Sequence, residues 1–544
     1  MPARSIREWS PERIFDGLAI ATLVAVAGIA AFTFRDYGLG WDDYTHAQYG
    51  DLLLALYGSG FTDTRALSFV NLYEYGGGFD MAAALAAKVL PFSLFETRRL
   101  VGAVVGLLGL VATWRLGRRF GGPSGGFIAL VLLATCPLYY GHMFMNPKDA
   151  PFAAAMALLL LGLVRAFEEY PRPTRATVLL FGIGLGLTIG SRVVGGLSGL
   201  YALAAAALVV ALEARALGLR AAAARLGAFI LRLTPGLALG YLVMGLVWPW
   251  GVIAPLNPLR ATIYFSSFFE KPWRELFGGV LIPVVDMPRS YVPTLFALTM
   301  PEIFLALALC GLALALIEVL RARVPITRRA ALFLLATAAV LPIAFTVATR
   351  PAMYNGIRHF VFVTPALAVL GGLAGACLLG LLARRGRAMV AAGAVAFAAL
   401  VALPVIEMVR LHPYEYTYYN RLAGGVRGAQ SRYMLDYWGL SFKQMGAVFL
   451  ATLAERGEQK PPGRPWKIAV CGPHPPAVVA LGPQFDPNWD PKGADFALML
   501  GVFYCAALDA PVVAEIRREG VLYARVYDIR GRSYKSLFTM PPVQ

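Results

Sequence analysis

Two adjacent carboxylates are the first residues that could carry out chemistry. Asp42 and Asp43 lie in the segment GLGWDDY, directly after the first long apolar run, with Trp41, Tyr44 and His46 close by. A carboxylate removes a proton from a hydroxyl nucleophile when it lies within hydrogen-bond reach. Acids in such a place are also common as plain solvated loop residues. The aromatic neighbours favour a catalytic pair, in which either carboxylate could be the base.

A second polar segment, GHMFMNPKDAPF, places His142, Asn146, Lys148 and Asp149 within a few residues of one another. Lys148 could bind a phosphate group as a compact positive charge. Asp149 could be a second catalytic acid that orients the acceptor or holds Lys148. It could equally be the N-cap of the helix that follows, where an acid favours the positive end of the helix dipole. The two interpretations of Asp149 are compatible.

Further cations and polar groups occur in two later segments. Arg192 lies in GLTIGSRVVGG, and the segment RPAMYNGIRHF contains Tyr354, Asn355, Arg358 and His359. Arginine offers a fork of donors to phosphate oxygens, and histidine adds one more donor. A structural ion pair for Arg192 and headgroup contact for the second segment remain alternatives. Together with the acids, these cations suit group transfer from a lipid phosphate.

The elements that must position these residues are membrane helices. The chain is 58% hydrophobic and only 15% charged, with a mean hydropathy of +0.62, which is typical of a polytopic membrane protein. We predict an all-α bundle of about eleven transmembrane helices. They cover residues 14–34, 100–116, 127–140, 151–167, 178–190, 193–212, 233–250, 301–320, 331–348, 361–382 and 389–406.

The charge pattern predicts the orientation. Every second connection is rich in arginine, as in residues 115–119, 165–175, 215–232, 321–329 and 384–387. By the positive-inside rule these connections and the N-terminus are cytoplasmic. The same clustering explains the net charge of +17, so we predict no nucleic-acid partner. The first apolar run is long enough to span the membrane and lacks a cleavage site, so it is interpreted as a retained signal anchor.

The chain divides into two predicted domains. Residues 1–410 form the transmembrane domain, in which the outer loop 35–99 carries the acid pair and the outer loop 248–300 could form a mobile lid. Residues 411–544 form a small α/β domain on the outer side, where Cys471 and Cys505 could form a disulfide. Short elements are expected as amphipathic interfacial helices at 52–57 and 81–90, a helix at 441–454 and strands at 466–470, 496–500 and 521–528.

The sequence argues against several classes of function. The sequence has no P-loop, no GxGxxG opening a helix and no HExxH, which argues against an ATP-driven pump and a zinc protease. A transporter or flippase of a lipid-linked sugar is the alternative function. It predicts charges in the middle of helices and related halves. The candidate residues lie in outer loops and no repeated half is visible, so transfer chemistry is favoured.

The chain resembles bacterial GT-C glycosyltransferases of the protein O-mannosyltransferase and aminoarabinose-transferase type. The matching motifs, in order, are WDD, NPKDAPF, GIRHFVFVTP, HPYEYTYYN and LDYWG. The resemblance implies a GT-C fold in the bacterial inner membrane and an inverting transferase on its periplasmic face. The donor would be a polyprenyl-phosphate sugar, and the acceptor a lipid, a glycan or a protein.

The resemblance also implies residue roles. The first-loop acid of that family is the general base and corresponds to Asp42, although the family often has Asp-Glu where this chain has Asp42 and Asp43. Which of the two carboxylates is the base therefore stays open. Cations of the protein would stabilise the departing phosphate. We expect no cofactor and no requirement for a divalent metal.

Overall fold

The computed structural model describes residues 11–266 and 273–539. Within these ranges nine helices are long and apolar enough to cross a membrane, which makes the chain a multi-pass membrane protein. They are Pro11–Thr33, Leu94–Ala134, Asp149–Glu168, Leu197–Leu217, Leu219–Val247, Glu302–Leu320, Ile326–Thr349, Thr364–Ala383 and Arg387–Leu411. The cationic start of the chain, with Arg4 and Arg7, lies outside the described residues.

Nine spans among the described residues lie close to the predicted count of about eleven, and two features account for the difference. Leu94–Ala134 divides into two arms at Gly122, whose backbone is not helical. Arg175–Ser191 is a further apolar helix of 17 residues. The bundle thus has about eleven apolar segments.

The membrane helices differ widely in burial. Asp149–Glu168 is enclosed by other helices, whereas Arg387–Leu411 exposes most of its surface. The exposed apolar surface is the part that lipid would cover.

Some predicted boundaries were wrong. Arg115 and Arg118 belong to the first arm of Leu94–Ala134 rather than to a loop. Arg225 likewise lies within Leu219–Val247. These helices extend beyond their apolar stretches because the long arginine stems can follow the helix surface while their charged ends reach polar surroundings.

The loop between the first two spans is folded. It contains the helices Asp43–Gly58 and Gly78–Ala87, each starting earlier than predicted, which pack against one another. A further short helix, Pro137–Met145, precedes the polar segment of Lys148. The predicted lid region contains helices and an antiparallel hairpin, which the sequence did not reveal because its strands have four residues each. Its elements are Pro249–Ile253, Asn257–Ser266, Arg274–Phe277, Val280–Pro283 and Tyr291–Thr299.

Beyond the last span, the chain forms helices and a five-stranded mixed sheet. The helices are Gly425–Ala429, Ser441–Glu455 and His474–Leu481. Along the sheet the strands follow the order Phe485–Asn488, Trp466–Cys471, Phe496–Leu500, Val521–Asp528 and Val512–Arg518. The first two neighbouring pairs are parallel and the last two are antiparallel. A disulfide joins Cys471 to Cys505, with the Cα atoms 5.8 Å apart.

Candidate functional site

Asp42 lies at the N-terminal end of helix Asp43–Gly58, yet its carboxylate does not cap that helix. It forms an ion pair instead, with the Lys148 Nζ atom 3.0 Å from its Oδ2 atom. The side chain is 40% exposed. Partial burial raises the pKa of this carboxyl group, but Lys148, His46 and Arg358 lower it by more, so the pKa lies well below its usual range. Asp42 is therefore ionised and accessible.

Asp43 occupies a different environment. Its side chain is fully buried. Its two carboxylate oxygens accept hydrogen bonds from the two terminal nitrogens of Arg99, and the bond from Nη1 is 3.0 Å long. The Gly40 backbone N–H also donates to Asp43 Oδ2 at 2.7 Å. The predicted catalytic role of Asp43 has no support in this position, because its oxygens are occupied and no solvent reaches them. The pairing with Arg99 was missed because the two residues are 56 positions apart in sequence.

The segment that carries both acids is held by close packing. A side chain at Gly40 would collide with the ring of Trp438, from the LDYWG motif. Tyr37 donates a hydrogen bond from its hydroxyl to Glu415 at 3.0 Å, and Glu415 belongs to the HPYEYTYYN motif. Both later motifs therefore support the first loop from the far end of the chain.

Asp149 joins the cations of two distant segments. Its Oδ1 atom pairs with Arg192, and its Oδ2 atom lies 3.1 Å from Arg358 Nη1. Asn146 donates to Asp149 Oδ2 at 2.7 Å. The N-cap interpretation of Asp149 is wrong, because Lys148 occupies the N-cap position and Asp149 is the first residue of the helix. The side-chain oxygen of Asn146 accepts from the backbone N–H groups of Lys148 and Asp149.

Lys148 and Arg192 share an aromatic surface that sequence reasoning missed. The Lys148 ammonium lies 4.9 Å from the ring centre of Tyr75, and the Arg192 guanidinium lies 5.8 Å from it. Such cation–π contacts stabilise partly desolvated cations. Tyr75 reaches this place because Gly76 presses against the backbone of Gly190, which leaves no room for a side chain. The three glycines after Tyr75 were the available signal.

The residues of the segment RPAMYNGIRHF differ in their contacts with the site. Arg358 donates to the Tyr354 hydroxyl at 3.0 Å and lies over the rings of Tyr354 and Trp438. The ring of His359 packs on Tyr354, and its Nδ1 atom has no hydrogen-bond partner among the described residues. Asn355 adopts a left-handed backbone conformation with a φ of 56°. That conformation is typical of a turn, and the predicted contact of Asn355 with the donor phosphate or the acceptor stays a prediction.

Two clusters result. We call Asp42, Lys148, Asp149, Arg192 and Arg358 the recess cluster. Its three cations face two carboxylates, an excess of one positive charge. Nearby, burial lowers the pKa of His142 to about 3, so this histidine adds no charge at neutral pH.

The second group, here the buried cluster, consists of Asp43 with Arg99 and of Asp80 with Arg98 and His46. Asp80 accepts from Arg98 at 2.6 Å and pairs with His46 Nδ1 at 2.6 Å. Each side chain in this cluster is at most 3% exposed. Within the described ranges, no three His, Cys, Asp or Glu side chains converge as a metal site requires.

A protein-family model matches part of the chain. Residues 79–238 match the model of a family described as Dolichyl-phosphate-mannose-protein mannosyltransferase. The matched stretch contains Lys148, Asp149 and Arg192 and leaves out Asp42 and Arg358. The resemblance inferred from the sequence is confirmed over that stretch. No curated protein matches the chain.

Two solved structures match most of the chain at low identity. ArnT from Cupriavidus metallidurans, bound to undecaprenyl phosphate, is 18% identical with a TM-score of 0.48, and the match covers 95% of this chain and 99% of that chain. The archaeal oligosaccharyltransferase AglB from Archaeoglobus fulgidus, in complex with an inhibitory peptide and a dolichol-phosphate, is 14% identical with a TM-score of 0.47. That match covers 89% of this chain and 69% of AglB.

Proposed function

We propose that this protein is an inverting glycosyltransferase. It transfers a monosaccharide from a polyprenyl-phosphate-linked donor to a hydroxyl group of a lipid, glycan or protein acceptor. The observation that carries the proposal is the recess cluster, where an accessible ionised carboxylate lies beside cations that exceed the carboxylates by one charge. A base and an anion site in contact are what displacement at a sugar phosphate requires. The family match over residues 79–238 supports the same chemistry.

The proposed reaction is a direct displacement. Asp42 accepts the proton of the acceptor hydroxyl, and the acceptor oxygen attacks the anomeric carbon from the side opposite the phosphate. The bond between that carbon and the phosphate oxygen breaks, and its electron pair stays on the departing lipid phosphate. Arg192 and Arg358 stabilise the charge that develops there. Attack from the opposite side inverts the anomeric configuration.

Asp149 acts through these arginines. It holds the guanidinium groups of Arg192 and Arg358 on its two oxygens, so both donors are oriented before the substrate arrives. Preorganised donors of this kind need no rearrangement during the reaction. Protein cations can supply the charge stabilisation that a metal provides in other transferases. We therefore propose that the reaction needs no divalent metal.

The proposed location is the bacterial inner membrane, with the recess cluster on the periplasmic side. The arginine-rich connections support this orientation, because positive charge is retained in the cytoplasm. In this arrangement the N-terminus is cytoplasmic, and the unit that follows Arg387–Leu411 lies in the periplasm. A disulfide such as Cys471–Cys505 is compatible with that oxidising compartment.

The proposal is tested with purified protein, synthetic polyprenyl-phosphate sugars and a membrane extract. We expect a labelled glycosylated product from wild type and none above background from Asp42→Asn. Asp51→Asn is the matched control, because Asp51 is an exposed acid of the same helix. No product with any such donor, combined with movement of the donor across proteoliposomes, would instead establish a flippase.

A further inference from the structure

Lys148 is the cation that contacts the proposed base directly. Its ammonium lies 3.0 Å from Asp42 Oδ2, and its side chain is 13% exposed. The two arginines of the recess cluster are instead held by Asp149. Each cation type suits its place, since a guanidinium is a rigid fork and an ammonium is a point charge on a flexible stem. Lys148 is therefore the group best able to move within the cluster.

The proposed displacement removes one negative charge from Asp42, which pairs with Lys148, and adds one to the donor phosphate. Before the reaction, Asp42 is ionised and the donor phosphodiester carries one negative charge. After it, Asp42 holds the acceptor proton and the lipid phosphate has gained the electron pair of the broken bond. The partner of Lys148 thus loses its charge while the phosphate gains one. A cation that stayed with Asp42 would oppose the proton transfer and leave the new charge to Arg192 and Arg358 alone.

We propose that Lys148 moves from Asp42 to the donor phosphate, so that one ammonium group stabilises the ionised base before the donor binds and the departing phosphate afterwards. This inference rests on the proposed function. It makes Lys148 a switch that keeps Asp42 paired until an anionic lipid occupies the site. The Tyr75 ring, 4.9 Å from the ammonium, provides a surface over which the group can shift without losing all its contacts.

The surrounding charges allow the switch. Asp42 is faced by Lys148, His46 and Arg358. Lys148 is faced by Asp42, Tyr75, Tyr354 and Arg358. Burial lowers the pKa of Lys148, but Asp42 and Tyr75 raise it by more, so the ammonium stays protonated.

The switch makes Asp42 and the lipid phosphate competitors for one cation, which a binding experiment can measure. Polyprenyl phosphate without sugar is titrated into wild type, Asp42→Asn, Lys148→Met and the double variant. We expect Asp42→Asn to bind about threefold to tenfold more tightly than wild type and Lys148→Met to bind more weakly by a similar factor. Lys88→Met, at an exposed lysine of the loop that carries Asp42, is the control.

The double variant separates the switch from simple repulsion. If Asp42→Asn improved binding only by removing a negative charge near the phosphate, the improvement would persist in the Lys148→Met background. The switch predicts that it disappears there. An unchanged affinity of Asp42→Asn, or a gain that survives in the double variant, overturns the inference.

A second measurement uses the pH dependence of kcat/KM, which reports the free enzyme. Lys148→Met removes the main cation that lowers the pKa of Asp42, so the acidic limb should move up by about one pH unit. A residue that only bound phosphate would raise the KM for donor without moving that limb. An unmoved limb in an active variant therefore contradicts the switch alone, whereas absence of transfer by wild type contradicts the proposed function.

Discussion

The recess cluster and the buried cluster are built from similar types of side chain but differ in exposure and in the partners of their carboxylates. Each contains two aspartates and two arginines, and both clusters involve the loop that follows the first span. In the buried cluster every carboxylate is enclosed, and Asp43 accepts hydrogen bonds from Arg99 and from the Gly40 backbone N–H. In the recess cluster Asp42 remains 40% exposed and holds a single lysine.

The two clusters differ in the partners of their carboxylates. We infer that the partner decides whether an aspartate has a structural or a catalytic role. A bidentate arginine with a backbone donor fixes a buried carboxylate and leaves it no accessible side. A flexible lysine leaves the carboxylate one accessible side. Two neighbouring aspartates can therefore do different work, and experiments on them should separate activity from stability.

The largest expected effect concerns Asp42. Asp42→Asn should reduce kcat by about 10³-fold, since loss of a general base removes that much catalysis. The melting temperature should change little, because the carboxylate caps no helix. Transfer assays and thermal unfolding in detergent measure the two effects. A comparable loss of activity and of stability would erase the distinction between the clusters.

Asp43 should show the opposite pattern. Asp43→Asn leaves the buried guanidinium of Arg99 without its counter-charge, which should cost about 3–5 kcal/mol of unfolding free energy. Adding Arg99→Gln removes the unpaired charge and should restore part of the loss. Thermal unfolding of the single and double variants tests this. If the double variant is no more stable than the single, the pair does not stabilise the loop as described.

Glu275 extends the comparison to a buried carboxyl group without a bidentate arginine. Burial raises its pKa to about 7, although hydrogen bonds from the Asn355 backbone and the Tyr291 hydroxyl lower it in part. The folded state thus retains a proton that the unfolded chain releases above the ordinary value of 4.5. Stability should fall as pH rises from about 4.5 to about 7, by on the order of 3 kcal/mol.

The measurement is the difference in melting temperature between wild type and Glu275→Gln across that pH range. The variant should gain relative to wild type as the pH rises, because glutamine keeps hydrogen-bonding capacity and never ionises. Glu407→Gln, at an exposed ion pair with Arg410, is the control. A constant difference across pH would show that folding does not raise the pKa of Glu275.

The smallest expected effect concerns the shape of a recess cation. Arg358→Lys keeps the charge but loses the fork that reaches both Asp149 and Tyr354. We expect about a tenfold higher KM for donor, equivalent to about 1.4 kcal/mol, with a smaller change in kcat. Arg427→Lys, in an exposed pair with Glu519, is the control. Unchanged kinetics would mean that charge alone suffices at this position.

Much of the architecture followed from the sequence because apolar runs are local signals. A run long enough to cross a bilayer must satisfy its backbone internally and becomes a helix. The acids and cations of the recess cluster were also found, since charged groups next to apolar runs stand out. The hairpin Arg274–Phe277 and Val280–Pro283 was missed, because four-residue strands carry too little pattern.

The sequence by itself thus determined a bundle of membrane helices and the set of charged residues gathered at its loops. Only the tertiary structure decided which aspartate stays accessible. Asp43 meets Arg99 across 56 positions, and Asp149 meets Arg358 across 209. Such pairs form when helices pack, and neither periodicity nor motif spacing encodes them. The roles of Asp42 and Asp43, adjacent in sequence, therefore separate only in three dimensions.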